Sequence, residues 1–506
     1  MSQTLESVPP ARLEPHPPGL YALFTTEMWE RFSYYGMRAL LVLYLKKAMG
    51  YGEESALEIY ATYTGLVYLT PLFGGRFADL YLGQRKAIFI GGILMALGQL
   101  ALSQRELLMP GLGLMIVGNG FFKPNISVMV GSLYPQGDVR RDSAYTLFYM
   151  GINLGAAISP LITGYLGENY GWGYGFAAAC VGMVIGLVTF YFTQRWLRGV
   201  GLPPGREAPP DAILSVRDWV GVAAVTAVLA FGVVALIQFW PVIQPIWSPS
   251  WLTGSLASFF YKGLILLGGL GFFIWATEPK AVAEMAELHE PFTLVDWQRL
   301  GVIVAISLFS IVFWMGFEQS GGTLNLFADE NTNRVILGYD VPASYFQSIN
   351  PVFIISLAAA FAMLWTALAK RNFPLPSVAK QGLGLILLSV ALVVMYFAEK
   401  RSTSGLVSPL WLISVYFIFT VAELFISPIG LSLVNKLAHP RIASLMMAFW
   451  FLCTAAANYL AGIVKHKIVE PNDLNLWLFL GAAAFVSGVV MLALTPLLVK
   501  MSHGRV

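Results

Sequence analysis

A stripe of polar side chains runs through the first long apolar segment of the chain. Its members recur three and four positions apart, and they are Glu27, Glu30, Arg31, Tyr34, Tyr35 and Arg38. On an α-helix this spacing places all of them on one face, over a length of about 16 Å. The flanking residues are apolar enough for a bilayer, where ionisable side chains are costly. The stripe is therefore the first candidate for a functional site.

The first three charges of the stripe lie within hydrogen-bond reach of one another on a helix. Glu27, Glu30 and Arg31 stand at positions i, i+3 and i+4. Two carboxylates beside one guanidinium cannot all remain ionised in a dry site, so one carboxylate is expected to accept a proton. We interpret the three residues as a proton-coupling switch. The alternative is a static salt bridge in the interior of a helix bundle.

The composition is that of an integral membrane protein. Of the 506 residues, 57% are hydrophobic and only 12% are charged, whereas a soluble domain usually has about 25% charged residues. The net charge is only +3 and the basic residues form short clusters, so the lipid bilayer is an expected partner and nucleic acid is not. The polar, proline-rich start of the chain is not expected to be a signal peptide.

Apolar runs long enough to cross a bilayer predict about fourteen helices, grouped as six, two and six. They lie near 21–47, 56–82, 87–103, 108–132, 143–167, 172–193, 219–240, 257–276, 299–323, 343–369, 381–398, 407–436, 442–464 and 475–499. The grouping predicts a transporter made of two equivalent bundles with a site at their shared midplane.

The same pattern divides the chain into six segments. We expect a cytoplasmic tail (1–18), an N-terminal six-helix bundle (19–198), a cytoplasmic linker (199–216), an extra helix pair (217–277), a second cytoplasmic linker (278–297), and a C-terminal six-helix bundle with a short tail (298–506). Basic clusters such as Arg85-Lys86 and Arg140-Arg141 place both termini in the cytoplasm by the positive-inside rule. The predicted location is the cytoplasmic membrane, with multiple crossings.

The link between the second and third helices carries a recognisable motif. Gly75-x-x-x-Asp79-x-x-x-Gly83-x-Arg85-Lys86 resembles the loop motif of the major facilitator superfamily. The expected fold is therefore all-α, namely the major facilitator fold with two six-helix bundles and two extra transmembrane helices between them.

Five further motifs resemble those of the proton-dependent oligopeptide transporters, a branch of that superfamily. In order they are 27–36 (EMWERFSYYG), 118–125 (GNGFFKPN), 148–155 (FYMGINLG), 313–319 (FWMGFEQ) and 423–431 (ELFISPIGL). The resemblance implies a proton-coupled secondary active symporter that imports di- and tripeptides by alternating access. No metal-ligand cluster, nucleotide-binding loop or nucleophile motif is visible in the sequence, so we expect no enzyme activity, no metal and no cofactor, with the proton as the coupling ion.

The resemblance also implies which charges hold the two ends of a peptide. Arg38 and Lys123 suit the carboxylate, Arg38 as a fork and Lys123 as a point charge. Glu318 suits the ammonium group, and Asn153 and Asn350 assist as neutral acceptors. Opposite charges at the separation of a dipeptide's ends, about 5–7 Å, would select short peptides over single ions.

The other implied substrate-binding residues are mostly aromatic. Aromatic side chains give a pocket apolar faces and polar tips, and the resemblance assigns this role to Tyr34, Tyr68, Trp314 and Trp450. For each of them the alternative is ordinary packing. The motif at 423–431 adds Glu423 and Ser427 to the set.

Two pairs of opposite charges are expected to act as gates. Arg38 with Glu318 would close the outer side, and Lys123 with Glu423 the inner side. An ion bridge that substrate or proton can compete with is the kind of bistable element that alternating access requires. The alternative is that the pairs are permanent.

Three other functions are alternatives. The first is a family relative that carries another nitrogenous compound or an anion, for example nitrate or a peptide-like drug, and Glu318 discriminates against it because a simple anion has no ammonium group. A non-transporting membrane sensor or scaffold is disfavoured by the short links between helices. A membrane enzyme is disfavoured because no catalytic motif is visible.

Overall fold

The computed structural model describes residues 14–135, 138, 140–205, 209, 211–239, 292–371, 375–426, 430–439 and 442–504. These residues form a multi-pass all-α membrane protein, so the predicted fold class is confirmed. Nine of the described helices are long and apolar enough to cross a membrane by the measure of length and hydropathy alone. The predicted helix at 257–276 lies outside the described residues.

The helices of the N-terminal bundle begin and end close to the predicted positions. They are α1 Pro18–Lys47, α2 Glu53–Leu69, α3 Pro71–Phe77, α4 Gln84–Leu102, α5 Leu108–Ser132, α6 Arg140–Ser159, α7 Tyr165–Asn169 and α8 Trp172–Thr193. The π-helical turns Ala78–Leu82 and Pro160–Gly164 extend α3 and α6, and Arg105–Leu107 and Gln194–Leu197 are 3₁₀ turns. Helix α1 packs against both α6 and α8, which is why its polar stripe is buried rather than exposed to lipid.

The first extra helix, α9 (Val216–Gln238), is attached to the N-terminal bundle. It begins at a capping box, which satisfies the first backbone N–H groups of the helix, and it packs against α4 and α5. Arg85 fixes the preceding linker by donating hydrogen bonds to the carbonyl oxygens of Val200 and Ala212, each at 2.7 Å. The basic residue of the loop motif therefore anchors the linker.

The C-terminal bundle repeats the six-helix plan with short irregular insertions. Its helices are α10 Leu294–Phe317, α11 Thr323–Glu330, α12 Ile349–Lys370, α13 Ser377–Ser402, α14 Leu410–Ile426, α15 Gly430–Leu437, α16 Ala443–Val464 and α17 Leu476–Met501. Glu318–Ser320, Ala343–Ser348 and Glu470–Asn472 are 3₁₀ turns, and Lys465–Val469 is a π-helical turn. An antiparallel hairpin pairs β1 (Val335–Ile336) with β2 (Tyr339–Asp340).

The two bundles approach each other closely where α2 meets α16. A Cβ atom on Gly462 would lie 2.3 Å from the Cβ of Ala61, and one on Gly65 would lie 3.1 Å from the carbonyl oxygen of Ala455. Both distances are too short for a side chain to enter without a shift. Glycine at these positions therefore permits near backbone-to-backbone contact between the bundles.

Ion pairs join the bundles at the same end of the molecule. The pairs are Lys46–Glu330, Lys47–Asp329, Glu53–Lys465 and Glu54–Lys467, and we call these four pairs the clasp. Each pair takes one partner from the N-terminal bundle and one from the C-terminal bundle. The clasp therefore ties the two bundles together at the end of the molecule where α1 finishes and α2 begins.

Candidate binding cavity and buried ionic network

A cavity of about 160 Å³ lies between the two bundles. Helices α1, α2 and α6 of one bundle and α10, α12 and α14 of the other contribute to its walls. The predicted substrate residues that line it are Arg38, Tyr68, Asn153, Trp314, Glu318, Asn350 and Glu423. Residues from six separate helices are thus brought to one cavity, which is the geometry expected of a site shared by the bundles.

Arg38 and Glu318 form an ion pair across the two bundles. The Nη2 group of Arg38 donates a hydrogen bond to Glu318 Oε2, and Nε donates to the Tyr60 hydroxyl at 2.6 Å. The side chains of Arg38 and Glu318 are only 11% and 4% exposed. Removing one partner of a buried pair costs about 3–5 kcal/mol, since the other charge is left uncompensated. The contact proposed for the outer gate is present, whereas its role as a gate stays a prediction.

The position of Glu318 depends on the break in the helix that follows it. Helix α10 ends at Phe317, and a 3₁₀ turn leads to Gly321. A Cβ atom on Gly321 would lie 1.8 Å from the Tyr60 hydroxyl oxygen and 3.0 Å from Arg38 Nη2. Only glycine fits there, so the sequence Glu-Gln-Ser-Gly-Gly lets the chain turn against the ion pair.

Two asparagines orient their amide groups toward protein acceptors. The Nδ2 group of Asn350 donates to Glu423 Oε2 at 2.9 Å and to the Thr420 hydroxyl at 3.0 Å. That of Asn153 donates to the Tyr149 carbonyl oxygen at 2.9 Å. Because an amide oxygen is an acceptor, both asparagines can offer this atom to a cationic ligand in the cavity.

The proposed proton switch is a network of four charges rather than three. Arg31 binds Glu30 as a fork, with Nη2 donating to Oε1 at 2.5 Å and Nε to Oε2, and its Nε lies 3.5 Å from Glu27 Oε1. Lys123 donates to the same Glu27 oxygen. Both carboxylates are fully buried. With two negative and two positive charges, the network is neutral when every member is ionised.

Tyr35 connects this network with the cavity. Its ring lies 5.8 Å from the guanidinium carbon of Arg31 and 6.0 Å from that of Arg38, and it lines the cavity. No function was predicted for Tyr35 from the sequence. Tyr34, expected at the substrate, is buried instead and stacks on Tyr63 with a centroid separation of 6.5 Å. Of the two adjacent tyrosines, the structure thus places Tyr35 at the cavity and packs Tyr34 on Tyr63.

Three other predicted residues are not seen at the cavity. Trp450 is buried in a separate apolar cluster with Ile303 and Leu433, so ordinary packing describes its position. Lys123 binds Glu27, while Glu423 accepts from an asparagine; the predicted contact between Lys123 and Glu423 is therefore not formed here. Ser427 lies outside the described residues.

Gln347, Ser320 and Tyr416 are among the cavity residues that the sequence did not predict. The Nε2 group of Gln347 donates to the Ser320 carbonyl oxygen at 2.5 Å and to the Tyr416 hydroxyl at 3.2 Å, and all three residues line the cavity. The signal that could have found Gln347 is its spacing, since it precedes Asn350 by three positions and the two share a helical face.

Known proteins of one family are similar to the whole chain. The model of the POT family matches residues 85–212 and 281–478. The uncharacterized transporter YclF of Bacillus subtilis is 34% identical over 518 residues, covering 99% of this chain and 98% of its own. The peptide transporter YePEPT of Yersinia enterocolitica is 36% identical over 502 residues, covering 96% and 94%.

Solved structures are similar over nearly the same extent. A crystal structure of the peptide transporter POT with sulfate superposes with a TM-score of 0.77 at 35% identity, covering 96% of each chain. A POT family transporter with 5-aminolevulinic acid gives a TM-score of 0.76 at 30% identity, covering 96% of this chain and 97% of its own. The sequence comparisons and the structure comparisons therefore identify relatives in the same family.

Proposed function

The chain belongs to the POT family, and from that premise we propose that it is a proton-coupled symporter that imports di- and tripeptides by alternating access. The family and its relatives are transporters and not enzymes. One observation carries the proposal: the cavity between the bundles has opposite charges on its walls, and Tyr35 links it to a buried network with two carboxylates. The proton would be the coupling ion, without a cofactor.

A short peptide fits the chemistry of the cavity. Its carboxylate would bind Arg38, and its ammonium group would bind Glu318 or Glu423 with help from the two asparagine oxygens. A zwitterion can replace both halves of the Arg38–Glu318 pair at once, so neither buried charge is left alone. The dipeptide and tripeptide permease A of Escherichia coli is 30% identical over 505 residues, which supports this class of substrate.

The buried network explains how a proton and a peptide could favour each other. Protonation of Glu30 would remove one negative charge and weaken its fork with Arg31. The network would then hold one surplus positive charge in a buried site, which is costly. A peptide carboxylate in the neighbouring cavity compensates that charge, so each ligand would raise the affinity for the other by the same factor.

Alternating access requires one end of the molecule to be closed while the other exchanges substrate. With both termini in the cytoplasm, the clasp faces the outside of the cytoplasmic membrane. The Arg38–Glu318 pair would close the outer route to the cavity. We retain the Lys123–Glu423 pair as the inner gate of a different conformation, in which Lys123 would leave Glu27.

Uptake into proteoliposomes tests the proposal. The purified protein should take up a labelled dipeptide when the outside is more acidic than the lumen. The uptake should also depolarise the membrane, because each cotransported proton moves one positive charge across it, which releases ~2.3 kcal/mol per 100 mV. Uptake and voltage-sensitive dye signals would be recorded together. Dipeptide uptake that ignores both the pH gradient and the potential would contradict proton coupling.

The second candidate is transport of a different nitrogenous compound or of an anion, and one observation supports it. A structurally similar transporter was crystallised with 5-aminolevulinic acid, which is not a peptide. Glu318 in the cavity distinguishes the two candidates, because its carboxylate can bind the ammonium group of a peptide but makes no favourable contact with a simple anion such as nitrate.

The variant Glu318→Gln is therefore expected to reduce dipeptide uptake at least tenfold, since the loss of one charge-assisted contact costs about 1.5–3 kcal/mol. Uptake of an anion without an amine should fall less, because only the loss of the gate contact with Arg38 affects it. Uptake of dipeptide and nitrate would be measured in the same vesicles. If the variant loses nitrate uptake and keeps dipeptide uptake, the assignment of Glu318 to the ammonium group is wrong.

A further inference from the structure

The hairpin of β1 and β2 ends in a run of exposed apolar side chains. Val335, Ile336, Leu337 and Tyr339 are all exposed, and the side chain of Leu337 is fully so. No charged residue lies between positions 335 and 339, and we call these five residues the apolar tip. Scattered exposed apolar residues are ordinary, whereas a contiguous group of them marks an interaction surface.

The backbone of the apolar tip makes the leucine more notable. Leu337 and Gly338 connect the paired residues Ile336 and Tyr339, and both have positive φ angles, of 51° and 80°. This is the pattern of a type I′ turn, whose two central positions favour asparagine, aspartate and glycine. Leucine at positive φ costs stability because its Cβ atom crowds the following carbonyl oxygen. Among the described residues, none covers Leu337 to offset this cost.

The base of the hairpin is polar and firmly held. The Nη1 group of Arg334 donates to the Val341 carbonyl oxygen at 2.7 Å, and the Asn333 backbone N–H donates to the Val407 carbonyl oxygen at 2.8 Å. Arg334 also lies 3.6 Å from Asp340. Charged residues thus flank the apolar tip on both sides. The polarity falls from base to tip, as it does from the headgroups of a bilayer into its acyl chains.

Helix α6 shows where the bilayer lies relative to the hairpin. Exposed apolar residues of α6 and the turn after it recur three or four positions apart, which places them on one face. They are Met150, Leu154, Ile158, Leu161 and Ile162. Tyr165 continues this face, and its hydroxyl lies 3.5 Å from that of Tyr170. An apolar helix face that ends in exposed tyrosines is typical of a lipid contact that ends at the membrane–water interface.

The hairpin adjoins this end of the lipid-facing surface. A Cβ atom on Gly164 would lie 3.7 Å from the Tyr345 ring, and Tyr345 forms a side-chain hydrogen bond with Tyr339 of the apolar tip. Tyr339 also lies within electrostatic range of Tyr165. The apolar tip is therefore next to the tyrosines that mark the interface, and its exposed side chains continue the apolar surface of α6.

We propose that the apolar tip inserts into the bilayer at the clasp end of the molecule, with Leu337 among the upper parts of the acyl chains. The same end is identified by Asp329, which binds both Lys47 of the clasp and Arg334 at the base of the hairpin. Burial in lipid offsets the cost of leucine at positive φ, because its side chain leaves water. The inference goes beyond the proposed function and holds for any substrate.

Fluorescence quenching in proteoliposomes tests the insertion. An environment-sensitive fluorophore would be attached to Leu337→Cys, and quenching would be compared between aqueous iodide and lipids with a spin label near the headgroup end of the acyl chain. Lipid should quench strongly and iodide weakly. Asp340→Cys is the matched control, because its side chain is 71% exposed and points to the face opposite that of Tyr339; iodide should quench it more strongly. The unchanged chain, subjected to the same labelling, corrects for Cys180 and Cys453.

A second pair of variants tests the leucine itself, with the fluorophore on Ile336→Cys. Leu337→Asn suits the positive φ, so the hairpin should form at least as well. Lipid quenching should nevertheless fall by about half or more, since burial of a leucine side chain shifts a partition equilibrium by about tenfold or more. Leu337→Met keeps an apolar side chain and should retain the quenching.

Three results would overturn the inference. If iodide quenches the labels at 337 and 340 equally and lipid quenches neither, the apolar tip lies in water. Protection of the label at 337 from both quenchers would show that protein covers it, either a partner or a second copy of the chain. Unchanged lipid quenching in Leu337→Asn would show that Leu337 does not anchor the hairpin.

Discussion

Replacement of Glu30 by glutamine is expected to abolish uphill peptide uptake and to leave exchange of peptide for peptide within about twofold of the unchanged protein. Glutamine keeps the shape of Glu30 but cannot bind or release the proton. The Glu30 carboxylate is fully buried and accepts hydrogen bonds from Arg31. Loss of the Glu30 charge therefore leaves Arg31 with only the more distant carboxylate of Glu27. Accumulation driven by a pH gradient and counterflow without a gradient would be measured in the same vesicles.

The control for this result is Glu106→Gln. Glu106 lies on the 3₁₀ turn Arg105–Leu107 and is exposed, so the same chemical change there should alter neither measurement. Uphill accumulation at the full rate in Glu30→Gln would show that the proton is carried elsewhere. A variant that loses counterflow as well would point to a structural role for the Glu30–Arg31 fork.

The second large effect is expected at Arg38. Arg38→Gln should lower peptide uptake about a hundredfold or more, since the buried partner Glu318 is left uncompensated at a cost of about 3–5 kcal/mol and the peptide carboxylate loses its fork. The Tyr60 hydroxyl would also lose its donor from Arg38 Nε. Dipeptide uptake and dipeptide-induced thermal shift would be measured together, because binding to the folded state raises the melting temperature.

A charge reversal distinguishes binding from gating in this pair. The double variant Arg38→Glu with Glu318→Arg keeps an ion pair between the bundles but exchanges the positions of the charges. If Arg38 only closes the gate, the double variant should recover uptake; if it also binds the carboxylate, uptake should stay low. We expect no recovery. Arg401→Gln is the control, since Arg401 is exposed at the end of α13 and should have no effect.

Much of the fold could be predicted because the bilayer restricts the choice so strongly. Apolar runs must be helices, and their ends follow local signals: α10 begins at Leu294, just after a threonine capping box, and ends at Phe317, before the pair Gly321-Gly322. The predicted span of 299–323 lies five to six residues too far along the chain compared with α10 (Leu294–Phe317), because it was based on hydropathy and not on these signals. Boundaries of this kind depend on single hydrogen bonds, which a hydropathy pattern does not contain.

The candidate site shows a different limit. The spacing of the stripe is satisfied equally by Tyr34 and Tyr35, and only the packing of Tyr34 on Tyr63 decides which tyrosine reaches the cavity. The sequence likewise predicts a pair between Lys123 and Glu423, whereas Lys123 binds Glu27 in the structure. Which of the two carboxylates Lys123 contacts depends on how the bundles are arranged in space. A transporter that adopts several arrangements has one sequence for all of them, so the sequence does not specify a single contact.

The contact between α2 and α16 has a consequence for the energy barrier of transport. Gly65 and Gly462 let the backbones of the two helices approach closely, so neither position has a side chain that must be withdrawn when the surfaces part. Two pairs of the clasp, Glu53–Lys465 and Glu54–Lys467, lie at the end of the same contact, and the other two join α1 to α11. Opening must separate and hydrate all four. The contribution of the clasp to the resistance against opening is thus electrostatic, and dissolved salt should weaken it by screening.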